Sequence, residues 1–254
     1  MKYFAINLKS QMQYKATFVL NLFGRIVIAF ATVAGVWFMF LRFNEVEGFT
    51  LSQVLLCTAI TTMSFAISET FARGFDIFPR LLGNGQFDRF LVRPRNIIFQ
   101  VLASQMEFAR LGIFIQAVFV LAYAIPNSGV HWTWDKILTL VLMVFCGAAV
   151  FFALYVVYAA FSFFTTEGLE FMNILTHGGR EFGRYPYVIY GKGVLRFLTY
   201  VVPLALFQYY PLLYLLDIEQ SALYMFTPLI ALLFIAPSYG FFRLGLRRYK
   251  STGS

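Results

Sequence analysis

Charge is scarce in this chain. Asp, Glu, Lys and Arg make up 13% of its 254 residues, about half the share found in a soluble globular protein. Hydrophobic residues make up 60% and aromatic residues 20%, with a mean hydropathy of +0.72. Too little polar surface remains to cover a water-soluble body, and a disordered chain would need the opposite composition. Cysteine is nearly absent as well. Cys57 and Cys146 both lie in apolar runs, which argues against a disulfide framework or metal-type Cys/His spacing and for two small buried hydrophobes. The two histidines, His131 and His177, have no Cys or His partner nearby in sequence. The sequence has no HExxH, no GxSxG and no GxxxxGK[ST]. Gly191-Lys192-Gly193 lacks the upstream glycine and the hydroxyl of a phosphate-binding loop. Zinc hydrolase, serine hydrolase and self-contained nucleotide hydrolase chemistry are thereby excluded. No small-residue cleavage pattern follows the first apolar run, so no cleavable signal peptide is expected.

What the chain has is long apolar runs. A helix needs about 20 mostly apolar residues to cross the hydrocarbon layer. Six stretches qualify, at about 18–41, 51–72, 101–125, 137–164, 194–216 and 222–242. They are continuous rather than alternating, which rejects a barrel. The expectation is an all-α integral membrane protein of one domain, 1–254, because backbone groups in lipid must be paired within the segment. Residues 2–16 place Phe4, Leu8 and Met12 on one helical face, with Lys2, Lys9 and Gln13 opposite. Such a helix suits the membrane interface.

The net charge of +8 would suggest nucleic acid in a soluble protein. Here its distribution gives a better account. With the termini and the second and fourth loops on one side, that side holds sixteen of the twenty Lys and Arg. The other side holds Arg42 and Lys136, and Arg25 and Arg110 fall within spans. Basic residues collect in cytoplasmic loops and attract anionic lipid. Both termini are therefore expected in the cytoplasm, with membrane lipid rather than nucleic acid as the partner of the basic residues. Trp132 and Trp134 fall in the short outer loop, where interfacial aromatics belong. The longer inner loops, about 73–96 and 165–193, offer a handle to a water-side partner.

Four charges lie inside spans: Arg25, Glu69, Glu107 and Arg110. Such groups pair or face protein or water. Glu107 and Arg110 are three apart and share a helix face. Arg25 and Glu69 have matching depths, which predicts a contact between the first two helices. These pairs either fix helix packing or form a gate or relay, proton-coupled or not. The fifth run carries Pro203 and Pro211, each missing a backbone donor, with Gln208, Tyr209 and Tyr210 between them. It reads as a kinked helix or as a helix followed by a broken, re-entrant piece near the outer surface. Phe151, Phe152, Tyr155, Tyr158 and Phe161 in the fourth run point weakly to a hydrophobic or amphipathic cargo.

Two inner stretches carry a family likeness. One is Gly83-Asn84-Gly85-Gln86-Phe87-Asp88-Arg89-Phe90-Leu91-Val92-Arg93-Pro94, followed by Gln100-Val101-Leu102. The other is Arg184-Tyr185-Pro186, then Tyr190, Leu195-Arg196, Val202-Pro203 and Tyr210-Pro211. Both resemble the membrane subunits of type-2 ATP-binding-cassette (ABC) exporters, in the six-span branch with a separately encoded ATPase. The resemblance implies a coupling helix at about 74–95 that contacts the ATPase subunit through Phe75, Asp76, Phe78, Arg80 and Leu81. The alternative for these residues is an amphipathic helix on lipid headgroups. It also implies re-entrant helices between spans five and six, around Pro203, Tyr210 and Pro211. A second permease, identical or related, is implied, as is a location in the inner (plasma) membrane. ATP and Mg would belong to the partner ATPase, with no cofactor or metal and no catalytic residue on this chain. Two rival readings stay open: a non-transporting assembly or sensor protein, and an ion-coupled carrier that uses Glu69 and Glu107.

Overall fold

The structure is a computed structural model, and it describes residues 6, 9–43, 45–165 and 170–249. Among these residues the chain is helical apart from turns and one isolated bridge between Val46 and Phe49. Helix α1 is Lys15–Arg42, preceded by a 3-10 turn at Met12–Tyr14. Lys9–Arg42 forms one apolar run of 34 residues, so the described part of the expected interfacial helix leads into α1. Lys2, Phe4 and Leu8 of that helix, and the tail 250–254, lie outside the described residues.

Helix α2 is Leu51–Asp76. It starts where Gln53 Oε1 accepts from the Thr50 backbone N–H at 3.0 Å, half of a capping box. It outlasts the expected span by four residues, so Phe75 and Asp76 sit in its last turn. After Ile77 come α3 at Phe78–Gly83, with Pro79 in its first turn, and α4 at Asp88–Leu91. Helix α5, Ile97–Ser104, is capped by Asn96 Oδ1, which accepts from Ile98 N at 2.9 Å.

The third span departs from expectation. The helix breaks at 105–107, where Gln105 is extended (φ −145°, ψ 135°). It resumes through a 3-10 turn at Phe108–Arg110 into α6, Leu111–Asn127. Three polar residues in four, Ser104, Gln105 and Glu107, give this stretch little reason to stay in lipid. The backbone groups it frees find protein partners. Gln11 donates to the Met106 carbonyl, and its Oε1 accepts from Phe108 N at 3.0 Å. Glu107 N donates to the Thr70 carbonyl at 3.0 Å. Non-helical backbone at membrane depth is tolerated where protein covers it.

Helix α7 is Trp134–Phe161, and α8 and α9 are Glu170–Leu175 and His177–Phe182. Helix α10, Gly191–Tyr200, meets α11, Leu204–Leu215, at 115°. The bend lies at 201–203, beside Pro203, while Pro211 stays inside α11. Twelve residues rise about 18 Å at 1.5 Å each, short of a hydrocarbon layer of about 30 Å. The pair is thus a broken span or a re-entrant loop by length and composition. Helix α12, Ala222–Ala231, continues through a 3-10 turn into α13, Ile235–Arg248. Among the described residues five helices are long and apolar enough to cross a membrane, or six if the bent pair is one span.

At the centre is α2, which packs along α6 and α7, while α11, α12 and α13 lie on α7 and α1 leans mainly on α6. Lipid is as apolar as leucine, so close packing rather than water exclusion holds such helices together. Gly74 shows how close: a Cβ there would lie 2.0 Å from the Val101 carbonyl oxygen of α5. At Gly147 a Cβ would lie 2.6 Å from both Ser64 Oγ of α2 and the Phe207 ring of α11.

Candidate functional site

The intramembrane charges form one cluster, which keeps Glu107 beside Arg110 as expected but gives Arg25 a different acid. Glu107 is its hub. One carboxylate oxygen pairs with the Arg25 guanidinium; the other lies 3.3 Å from Arg73 Nε and 3.3 Å from Arg110 Nε. Arg110 Nη1 lies 2.8 Å from Glu69 Oε1, and Arg73 also pairs with Asp76. Arg25 thus takes Glu107, not Glu69, as its acid. The expected pairing assumed straight helices. The break at 105–107 turns the chain so that Glu107 reaches Arg25 while Arg110 reaches Glu69. Three cations meet three anions, so the cluster is neutral overall. Glu69 is 1% exposed, and neither of its oxygens has a hydrogen bond of good geometry. Charge attraction to Arg110 holds it, and a buried carboxylate without a cation would be costly.

Beside the cluster, between α1, α2, α6 and α9, lies a cavity of about 180 Å³. Arg25, Arg110, Arg180 and Arg184 all line it. The last two are held by Glu181, at 2.6 and 2.5 Å. Arg180 also lies 5.0 Å over the Phe65 ring. His177, at the start of α9, packs edge-on against Phe65 (5.3 Å) and Tyr155 (6.4 Å). Burial there holds its imidazole below the ordinary pKa.

Past the end of α2, α3 and α4 form a short hairpin on an aromatic cluster. Phe78 meets Phe87 (5.1 Å), Phe163 (5.2 Å) and Phe242 (5.7 Å). Phe75 meets Phe152 (5.5 Å) and Phe242 (6.1 Å). Phe87 meets Tyr249 (5.1 Å), whose hydroxyl donates to Asp88 Oδ1 at 2.9 Å. Burial and that acceptor raise the Tyr249 phenol pKa. Gln100 closes the hairpin by donating to the carbonyls of Phe90 (3.1 Å) and Arg95 (2.9 Å). Of the five residues assigned to a partner contact, Phe75 and Phe78 are 0% exposed. Their rings are spent inside the chain. Asp76 is half-buried on Arg73, Leu81 is half-buried, and Arg80 is exposed, as are Asn84, Gln86, Arg89 and Arg93.

The second inner stretch is a clamp. Carbonyls of Gly183 and Tyr185 accept from Gln208 Nε2 at 3.2 and 3.1 Å. Thr61 and Thr58 of α2 donate to Gly183 (2.7 Å) and Arg184 (3.0 Å) carbonyls. Tyr210 stacks on Tyr224 (5.5 Å, 6°), with its hydroxyl 3.2 Å from Thr199 Oγ1 across the bend at Pro203. The aromatic residues of α7 are also engaged in packing: Phe151 meets Phe65 and Phe207, and Phe161 meets Phe171 and Phe241. At the opposite end, Lys136 Nζ contacts both Asp217 oxygens at 2.7 Å, and Tyr214 donates to Asp135 Oδ2 at 2.7 Å. Sequence reading missed this site. The signal was a lysine at the start of the fourth run with Asp217 just past the fifth. Cys57 and Cys146 are free and buried. Among the described residues no group of three or more His, Cys, Asp or Glu could hold a metal ion.

No curated protein and no solved structure matches the chain. The model of the family described as "ABC-2 family transporter protein" matches residues 26–253, a stretch that includes the hairpin, the clamp, the bent pair and all of the charge cluster but Arg25. The chain therefore belongs to the ABC-2 transporter family and is a multi-pass permease subunit of an ABC transporter, a class of membrane protein that works with an ABC ATPase.

Proposed function

We propose that this permease exports an amphipathic cargo across the inner membrane, with both termini in the cytoplasm. A second permease, identical or related, completes the route. A separate ATPase binds and hydrolyses ATP with Mg and grips the hairpin 78–95 through its exposed face, chiefly Arg80, Asn84, Arg89 and Arg93. The observation that carries this reading is the aromatic cluster under the hairpin. It joins α3 and α4 to the inner ends of α2 (Phe75), α7 (Phe163) and α13 (Phe242, Tyr249). Edge-to-face rings packed at 5–6 Å contribute about 0.5–1.5 kcal/mol per pair beyond their burial. A push on the hairpin therefore moves three span ends together instead of bending a loop. Closure of two ATPase subunits on ATP would tilt those spans between inward- and outward-open states. Phe75 and Phe78 transmit the push from inside; the exposed arginines take the contact. The carrier reading loses ground because Glu69 and Glu107 are both engaged by arginines.

The test is affinity co-purification of the tagged chain with its ATPase from its native host. Arg80→Glu with Arg89→Glu is expected to release the ATPase while the permease keeps its elution profile. Phe78→Leu should keep the ATPase bound but lower cargo-stimulated ATP hydrolysis. An ATPase that stays bound and fully coupled in both variants refutes the assignment.

A further inference from the structure

The cavity beside the charge cluster is not used by the coupling scheme, and its walls are chemically one-sided. Four guanidinium groups, from Arg25, Arg110, Arg180 and Arg184, line it together with the Gln116 amide. Among the described residues no carboxylate does. The acids that pair with these arginines, Glu69, Glu107 and Glu181, touch them from outside the wall. Each guanidinium has five N–H donors in a fork that fits carboxylate or phosphate. The side chains are also held in place beforehand, by ion pairs and, for Arg180, by the Phe65 ring. Such preorganisation lowers the ordering cost of binding.

A second, independent observation points to a missing acceptor. Gln116 is 2% exposed, and its Nε2 has no hydrogen-bond partner. A buried donor without an acceptor is disfavoured unless something else fills the role. The remaining wall is mixed: Thr32, Thr58 and Thr62 add hydroxyls, and Ile28, Ala29 and Val33 of α1 with Ile113 of α6 form its apolar part. It continues onto α1, where Val27, Ile28 and Phe30 are exposed. At about 30 Å³ per water, the 180 Å³ volume has room for a small anionic group and the first carbons of a chain, but not for a large solute.

We propose that this cavity binds the anionic head, carboxylate or phosphate, of a single-tailed or double-tailed membrane amphiphile, whose tail lies along α1. The guanidiniums and Gln116 supply donors to the head, and Ile28, Val33 and Ile113 line the path of the first methylenes. The claim concerns this chain alone and stands whether or not the ATPase assignment is right.

The test uses the full-length chain purified in neutral detergent and three probes: dioleoyl phosphatidic acid, dioleoyl phosphatidylcholine and inorganic phosphate. Binding is read by native mass spectrometry and by a shift in thermal midpoint. One phosphatidic acid per chain is expected, about tenfold or more tighter than phosphatidylcholine, as hydrogen bonds to a charged group warrant. Inorganic phosphate alone should bind more weakly than phosphatidic acid by a wider margin. Gln116→Leu removes the donor at similar size, and Ile113→Trp fills the space. Both leave the net charge of +8 unchanged, so non-specific attraction of acidic lipid is preserved. Each is expected to weaken phosphatidic acid binding about tenfold while the lipid-free midpoint holds or rises. Equal binding of the two lipids overturns the proposal, as does unchanged phosphatidic acid binding in both variants. Phosphate that binds as tightly as phosphatidic acid overturns the amphiphile and leaves a site for a free anion.

Discussion

The Arg25–Glu107 pair gives the sharpest test of the structure, because a plausible alternative partner sits nearby. Glu107 touches three arginines, with one contact to Arg25 and two at 3.3 Å. Removing its charge by Glu107→Gln leaves Arg25 short of an anion, while Arg73 keeps Asp76 and Arg110 keeps Glu69. Stripping one partner from a buried pair costs about 3–5 kcal/mol. Arg25 and Glu107 side chains are 27% and 22% exposed, so solvent screening brings the expected loss to about 2–3 kcal/mol. For a chain of this size that is a fall in thermal midpoint of roughly 4–12 °C, at about 2–4 °C per kcal/mol. A double-mutant cycle with Arg25→Gln then isolates the pair. Two charges about 4 Å apart attract by about 4 kcal/mol at an effective dielectric of 20. Sharing of Glu107 among three cations reduces the coupling to about 1–2 kcal/mol. The corresponding Arg25→Gln, Glu69→Gln cycle should couple by less than about 0.5 kcal/mol. Unfolding can be followed with a thiol-reactive dye, since Cys57 and Cys146 are buried in the folded chain. A larger coupling for Arg25 with Glu69 than with Glu107 would reinstate matched depths as the rule and refute the chain break as the organiser of the cluster.

Three further outcomes follow. Gly74→Ala places a methyl group 2.0 Å from the Val101 carbonyl oxygen, and the overpacking should cost about 1–3 kcal/mol. Gly24→Ala, with nothing within 4 Å, should stabilise α1 by about 0.5–1 kcal/mol; detergent melts of both variants compare them directly. His177 has a folded pKa below its ordinary value of 6.5 because it is buried. The unfolded chain therefore binds the proton first, so this contribution is intact above pH 6.5 and is lost as pH falls below it. Midpoints measured from pH 7.5 to 5.5 should fall less in His177→Gln than in the parent, and parallel curves would count against burial of the ring. Lys136→Met strands Asp217, whose two oxygens both contact Nζ. With Asp217 about half exposed, the loss should be about 1 kcal/mol, and adding Asp217→Asn should recover part of it in the same melts.

Long charge-free runs were the most legible part of the sequence. The fourth span, expected at 137–164, is α7 at Trp134–Phe161, and α2 extends the second by one turn. Hydropathy works there because the polar side chains within the runs, such as Thr58, Ser64, Thr70 and Thr139, bond carbonyls one turn back in their own helix and leave it unbroken. It misleads in the third run, where Gln11, 97 residues away from Phe108 in sequence, supplies the polar partner that lets the helix break. No local window contains that information. Of the cluster's contacts, Glu107–Arg110, three apart, was legible locally; the partners of Arg25 and Glu69 were not, for the same reason. Pro203 and Pro211 look alike in sequence, yet only Pro203 sits at a bend; Pro211 lies in a helix whose neighbours on α7 and α12 enclose it. In sequence Phe75 and Phe78 look like an anchor for a partner surface. Their rings instead turn inward because Phe163, Phe242 and Tyr249, all distant in sequence, offer a place to pack.

Chain order adds a matter of timing to the Arg25–Glu107 pair. The two residues are separated by 82 positions, and a ribosome adding about 5–20 residues per second delivers the second some 4–16 s after the first. Throughout that interval α1 carries a cation whose acid has not yet been synthesised. A solitary guanidinium deep in hydrocarbon costs about 3 kcal/mol or more. Helix α1 must therefore hold Arg25 near the headgroups or beside another protein until Glu107 emerges, which makes its final seating a late event in assembly although it leaves the ribosome before its partner.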